Sequence, residues 1–234
     1  MTNPAAIPKH PGRKRLRRVI LAVAVLTLAV VFRRPLFLGN FGVIDSGKAY
    51  RSRQPGAELE ETIRSYSLAS IANLRGGSES DAFYHREAEV SERLGVEFYD
   101  LPMSSSRRPT RREMMLLVSV LDRARTPLLI HCKWGADRTG LMSALYRLVV
   151  RGEPPEAAMN EFSLAYSHVP INGPEHLHEP IDEYAAWLRD HGLRHDPARF
   201  RLWLERDFRA ADPFTGWPTI KPGRRPRRVA TAEL

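Results

Sequence analysis

Between Val19 and Phe32 every position but Thr27 is apolar, and from Gly39 onward the pattern changes to short apolar stretches separated by amphipathic ones. Ile44 to Arg51 reads as a strand or extended segment, Ser70 to Leu74 as a short buried strand, and Val96 to Leu101 as an alternating strand. Helices are predicted over Glu58 to Tyr66 and Ala82 to Leu94. Another begins at Thr110, where Glu113 sits in the first turn and Met114, Leu117, Val118 and Leu121 make one apolar stripe. The apolar run Pro127 to His131 predicts a further strand, followed by a loop and a helix over Thr139 to Val150. The remainder reads as helical over Pro154 to Tyr166, Glu175 to His191 and Pro197 to Arg209. Strands alternating with helices predict a small α/β domain, a mostly parallel sheet flanked by helices. No internal repeat is visible.

The N-terminal apolar run holds fourteen residues and as a helix spans about 21 Å, short of a hydrocarbon core of roughly 30 Å. Arginines on both sides can snorkel to headgroups and lengthen the effective span. A cleaved signal peptide lacks its small-x-small site here, and a core helix would have five basic residues packed just before it. The run therefore predicts an uncleaved transmembrane helix within an anchor over 19–38. Six Lys or Arg precede the run and two follow it, which predicts a cytoplasmic basic segment over 1–18 and a folded domain on the periplasmic side. Residues 39–212 would form that domain, and 213–234 a basic tail with the composition of a disordered segment.

Net charge is +9, but it is unevenly placed. Residues 1–34 hold eight Lys or Arg and no acid, and residues 219–234 hold five basic residues and one acid, which leaves the stretch between them slightly acidic. A nucleic-acid-binding face on the folded domain is therefore not indicated. The single cysteine, Cys132, excludes an internal disulfide and a cysteine-based zinc cluster. No histidine spacing indicates a metal site.

Cys132 follows the predicted strand Pro127 to His131 and opens the stretch HCKWGADRTG, His131 to Gly140. A lone cysteine is ordinarily a small buried hydrophobe. Here its surroundings point to chemistry. Five residues, Lys133, Trp134, Gly135, Ala136 and Asp137, separate it from Arg138, enough to circle one tetrahedral anion with backbone N–H groups and return an arginine for a bidentate contact. Gly135 supplies a position where a side chain would obstruct the turn or where φ must be positive, and the helix after it adds its positive end. The same donors stabilise a thiolate able to attack phosphorus, and Thr139 could donate its hydroxyl to the sulfur as it leaves.

These residues resemble the signature loop of the cysteine-dependent protein tyrosine and dual-specificity phosphatase superfamily, with His131, Cys132, Gly135, Arg138, Thr139 and Gly140 on its pattern. The segments KAYRSRQP (48–55), IANLRGG (71–77) and FYDLPMSSSRRP (98–109) are similar to its bacterial dual-specificity-like branch. The resemblance covers about residues 43–165. It implies a phosphotyrosine-phosphatase-like fold, a phosphocysteine intermediate, no metal or cofactor, and a phosphorylated protein or lipid as substrate. Arg51 and Arg75 follow strand ends and are candidate supports for the loop, His131 would orient it, Lys133 would add charge beside the anion, and Trp134 would shape the rim. A rhodanese-like sulfurtransferase also carries a cysteine in an anion-binding loop, but the Arg-Thr-Gly ending and the preceding His argue against it. A phosphate-binding module without turnover is the other alternative.

The general acid is where the pattern departs from the family. Asp100 lies 32 positions before Cys132, the expected distance, yet on a strand-like run rather than on the following loop, whose serines and arginines include no carboxylate. Asp137, immediately before Arg138, resembles the in-loop acid of myotubularin-type lipid phosphatases, and also suits a salt bridge or a helix cap. Both remain candidates.

Overall fold

The computed structural model describes residues 11–31, 33–34, 38–78 and 80–209. The chain forms a five-stranded sheet ordered β1-β2-β5-β3-β4, from β1 (Gly42–Asp45), β2 (Ala49–Arg53), β3 (Ser70–Asn73), β4 (Glu97–Asp100) and β5 (Leu128–Cys132). The sheet is mixed: β1 pairs antiparallel with β2, and the other three pairings are parallel. The helices are α1 (Pro11–Val31), α2 (Leu59–Tyr66), α3 (Ala82–Leu94), α4 (Arg111–Arg123), α5 (Asp137–Val149), α6 (Pro155–Ala158), α7 (Glu179–Asp190) and α8 (Pro197–Arg206).

Side chains along the central strands are buried on both faces of the sheet and alternate between them as strand geometry requires. On one face Ile130 and Cys132 of β5 join Met114, Leu117, Leu141, Leu145, Tyr184 and Trp203 from α4, α5, α7 and α8 in the larger core. On the other, Leu129 and Phe98 pack with Leu59 and Ile63 of α2. α5 is enclosed nearly all round, from Thr139 to Val149. The predicted start of α4 is secured by reciprocal capping: Thr110 Oγ1 accepts from Glu113 N–H at 3.1 Å, and Glu113 Oε2 accepts from Thr110 N–H at 2.8 Å.

Several expectations need correction. The single strand expected over Ile44 to Arg51 is a hairpin, because Gly47 at φ +73° and a bond from Lys48 N–H to Asp45 O reverse the chain. The helix expected over Pro154 to Tyr166 stops after α6 and continues as two 3-10 turns, Met159–Glu161 and Leu164–Tyr166, with Phe162 and Ser163 non-helical between them. Pro180 has no N–H to give, and a 3-10 turn over Pro174–Leu177 precedes α7 in place of one helix over Glu175 to His191.

The membrane expectation is overturned. No helix among the described residues is long and apolar enough to cross a membrane. α1 has 21 residues, but Arg13, Lys14, Arg15, Arg17 and Arg18 occupy its first turns. The apolar part, Val19 to Val31, is about 20 Å long against roughly 30 Å of hydrocarbon. The transmembrane helix over 19–38 and the single-pass periplasmic placement built on it are not supported. Residues 1–10 and the expected tail over 213–234 lie outside the described residues.

Candidate active site

β5 has a parallel neighbour on each side, so its carboxyl end opens where ligands of α/β sheets gather. Cys132 is its last residue, and positions 133–136 carry the chain to Asp137, the first residue of α5. Arg53 of β2 lies opposite Cys132, and Asn73 of β3 opposite His131.

All four loop carbonyls meet donors from other parts of the chain. Gln54 N–H donates to Lys133 O at 3.4 Å, and Asn40 Nδ2 to Trp134 O at 2.9 Å. Arg51 Nη2 donates to Gly135 O at 2.9 Å and to Ala136 O at 3.3 Å, and Gly140 N–H closes on Ala136 O at 2.7 Å. A trans peptide holds its N–H opposite its C=O. The N–H groups of Trp134, Gly135, Ala136 and Asp137 therefore point away from these donors, an arrangement compatible with an anion cradle. Gly135 has φ +69°, and a Cβ there would lie 2.5 Å from the Ser52 carbonyl carbon and oxygen. The loop can approach β2 this closely only with glycine.

Arg51 is fully buried beneath the loop. Its Nη1 donates to Glu161 O at 2.8 Å and Glu161 Oε2 at 2.5 Å, and its guanidinium lies 3.7 Å from the Tyr166 ring centre. Burial pulls this arginine below its ordinary pKa, while Glu161, and less strongly Cys132, favour its charged form. The other oxygen of Glu161 takes Arg147 Nε at 2.5 Å. The interruption after α6 thus delivers Glu161 between two arginines.

Arg138 Nη1 donates to Leu74 O at 3.2 Å, just past β3, and to Met103 O at 3.1 Å, in the loop after β4. Its buried Nε has no partner, and neither has the Thr139 hydroxyl, which makes no hydrogen bond to Cys132. Buried donors without partners are rare in folded proteins, and an anion in the cradle is a partner of the right charge.

The two aspartates part company. Asp100 follows Tyr99 on β4 and faces α3, where its Oδ2 accepts from Tyr84 OH at 2.9 Å. Burial pushes its pKa up to about 6, with Glu87 adding to the rise and Tyr84 and His131 opposing it. Cys132 belongs to the opposite face. Asp137 stands on the loop itself with its Oδ1 2.8 Å from His168 Nδ1, and it caps nothing, since Ala136 is the N-cap and no side-chain cap bond forms.

His131 is buried on the α3 side with Nε2 2.5 Å from Glu87 Oε1, close but without hydrogen-bond alignment. Glu87 Oε2 accepts from Gln54 Nε2 at 2.8 Å and Asn73 Nδ2 at 3.4 Å, and through Gln54 this group reaches the Lys133 carbonyl. Lys133 and Trp134 stand exposed at the rim, the ammonium 5.3 Å from the indole. Arg75 is stacked at 3.4 Å on Phe83, at the start of α3, rather than on the loop. Arg107 and Arg108 are tied to Glu113 and Glu183. Sequence reasoning missed Asn40, Gln54, Glu87, Glu161 and His168. Only Asn40, in the turn pair Gly39-Asn40 with φ +54°, carried a local signal. Among the described residues no group of three or more His, Cys, Asp or Glu is arranged to hold a metal ion.

The family described as DSP-PTPase phosphatase fused to NAD+ kinase matches residues 44–176, more than half of the chain. The dual specificity protein phosphatase TpbA of Pseudomonas aeruginosa is 54% identical over 35 residues, 15% of this chain and 16% of that protein's length. A DUF442 protein of known structure from Shewanella putrefaciens shares the fold at a TM-score of 0.51 and 15% identity, covering 62% of this chain and 90% of that one. The core catalytic domain of the PP-IP phosphatase SIW14 from S. cerevisiae is 21% identical at a TM-score of 0.49, over 65% of this chain and 93% of that one. With a match that runs from β1 through the Cys132 loop and beyond α6, the chain belongs to the DSP-PTPase family of cysteine-dependent phosphatases.

Proposed function

We propose that this chain is a phosphomonoester hydrolase whose nucleophile is Cys132. The observation that carries the reading is the loop backbone: all four of its carbonyls are held by named donors, which supports a cradle in which the N–H groups meet the anion beside the cysteine. In the first step the Cys132 thiolate forms a bond to phosphorus while the bond from phosphorus to the leaving oxygen breaks. That oxygen takes a proton from Asp137, the candidate acid that belongs to the loop. Arg138 and the four amides hold the non-bridging oxygens throughout. In the second step water attacks the phosphocysteine, Asp137 recovers the proton, and the Thr139 hydroxyl donates to the departing sulfur. Asp100, occupied by Tyr84 on the far face, is read as part of the α3 packing.

The substrate is a phosphorylated protein or lipid, with Lys133 and Trp134 at the rim to meet it. The purified chain is expected to hydrolyse p-nitrophenyl phosphate in the presence of a chelator, and Cys132→Ser to lose at least about a thousandfold in kcat/KM. Activity retained in Cys132→Ser would overturn the mechanism. Phosphate-analogue binding without turnover in the wild type would mark a non-catalytic binding module. Phosphopeptides and phosphoinositides assayed side by side identify the substrate class.

A further inference from the structure

His168 is the one buried histidine in contact with the Cys132 loop's acid, and nothing in the loop's sequence pattern calls for it. The residue is 3% exposed, and its ring lies edge-on to Phe162 at 4.9 Å and to His178 at 5.8 Å. Ser167, in the left-handed region at φ +59°, turns the chain there, and His168 N–H closes on Ser163 O at 3.2 Å. The chain is thereby set to aim Nδ1 at Asp137 Oδ1, 2.8 Å away. The second ring nitrogen, Nε2, is buried without a partner.

That orphan nitrogen decides the tautomer. A ring carrying its proton on Nε2 would bury an N–H with no acceptor, the costlier of the two neutral arrangements. With the proton on Nδ1, only a lone pair is left unpaired at Nε2, and the histidine donates to the aspartate. One carboxylate oxygen is then occupied and the side-chain rotamer fixed, while Oδ2 remains for proton transfer. Asp137 keeps 19% of its side chain exposed.

We propose that His168 is a positioning residue for Asp137: by donating Nδ1–H to Oδ1 it directs Oδ2 towards the leaving group in the first step and towards water in the second. The inference rests on Asp137 being the general acid. It assigns a role to the segment after Phe162, outside the Cys132 loop.

The test compares two substrates in wild type, His168→Ala, His168→Asn, Asp137→Asn and the double variant His168→Ala/Asp137→Asn. An alkyl phosphate leaves badly and needs the acid, whereas p-nitrophenyl phosphate hardly does. His168→Ala is expected to lower kcat on the alkyl phosphate about 10- to 100-fold, with KM little changed, and to lower kcat on the aryl phosphate no more than about threefold. Because both assays need folded protein, their ratio is insensitive to partial unfolding. His168→Asn is expected to recover most of the loss, since an asparagine amide N–H can take the place of Nδ1–H. In the double variant the histidine change should add nothing to Asp137→Asn. An equal loss on both substrates, or a full additional loss in the double variant, would assign His168 to packing alone and overturn the proposal. If Asp137→Asn itself shows no dependence on leaving group, the acid reading fails first and the inference with it.

Discussion

Asp100 and Asp137 are both carboxylates near one loop, yet their surroundings give them opposite characters. Asp100 is buried against α3 with its pKa raised to about 6, so the native state holds its proton more tightly than an unfolded chain, whose aspartates titrate near 4. Between those values the native state binds more protons, so stability falls as pH rises. The favourable contribution is complete below about pH 4 and gone above about pH 6. An Asn at 100 keeps an oxygen for the Tyr84 hydroxyl and cannot ionise. Relative to wild type, Asp100→Asn should therefore gain about 3 kcal/mol between pH 4 and pH 8, measured by urea denaturation at each pH. Parallel stability curves would mean that Asp100 does not ionise against a burial penalty. The sequence showed both aspartates as candidates and could not separate them. What separates them is the face of β4 on which residue 100 lands and the partner of residue 137, His168, which lies 31 positions away with no pattern joining the two.

At the scale of elements, the β5-loop-α5 unit was legible because its chemistry is local. Cys132, Gly135 and Arg138 must fall at fixed spacing after a strand for one loop to encircle an anion. Periodicity likewise located α3 and α4, and the cap at Thr110 was written in Glu113 three residues later. The braces were legible only in part, with Arg51 among the candidate supports and Asn40 marked by its turn. Asn40 and Arg51 reach the loop from separate segments, and Glu161, which holds Arg51 from a third, reads in sequence as an ordinary surface acid. The same braces make a firm prediction for the loop. In Gly135→Ala the new methyl meets the Ser52 carbonyl at 2.5 Å with the backbone held at positive φ. The loop must move away from β2, loosening the Arg51 and Asn40 bonds that aim the amides. We expect a loss of about 2 kcal/mol in stability and a drop in kcat/KM of at least about a hundredfold. Stability by urea denaturation and kcat/KM on p-nitrophenyl phosphate together check it, and unchanged kcat/KM would show that the close approach is not required.

For the molecule as a whole, the sheet order and the two helical layers place a single cysteine at the carboxyl end of the central strand, under one loop, with a buried arginine beneath it. The alternation of strands and helices pointed to an α/β domain but not to the antiparallel hairpin that makes its sheet mixed, and the apolar N-terminal run misled, since five basic residues share its helix and its apolar length falls short of a bilayer. On the proposed mechanism, phosphorus must pass through Cys132. With an activated aryl phosphate the first step does not need Asp137, whereas the second does, so the intermediate should accumulate in Asp137→Asn. The most direct measurement is acid quenching of that variant during turnover of p-nitrophenyl phosphate, followed by mass spectrometry of the peptide that contains residue 132. A phosphoryl group is expected on Cys132 in a larger share of Asp137→Asn molecules than of wild type. Turnover with unmodified Cys132 in both proteins, or a phosphoryl group on another residue, would contradict it.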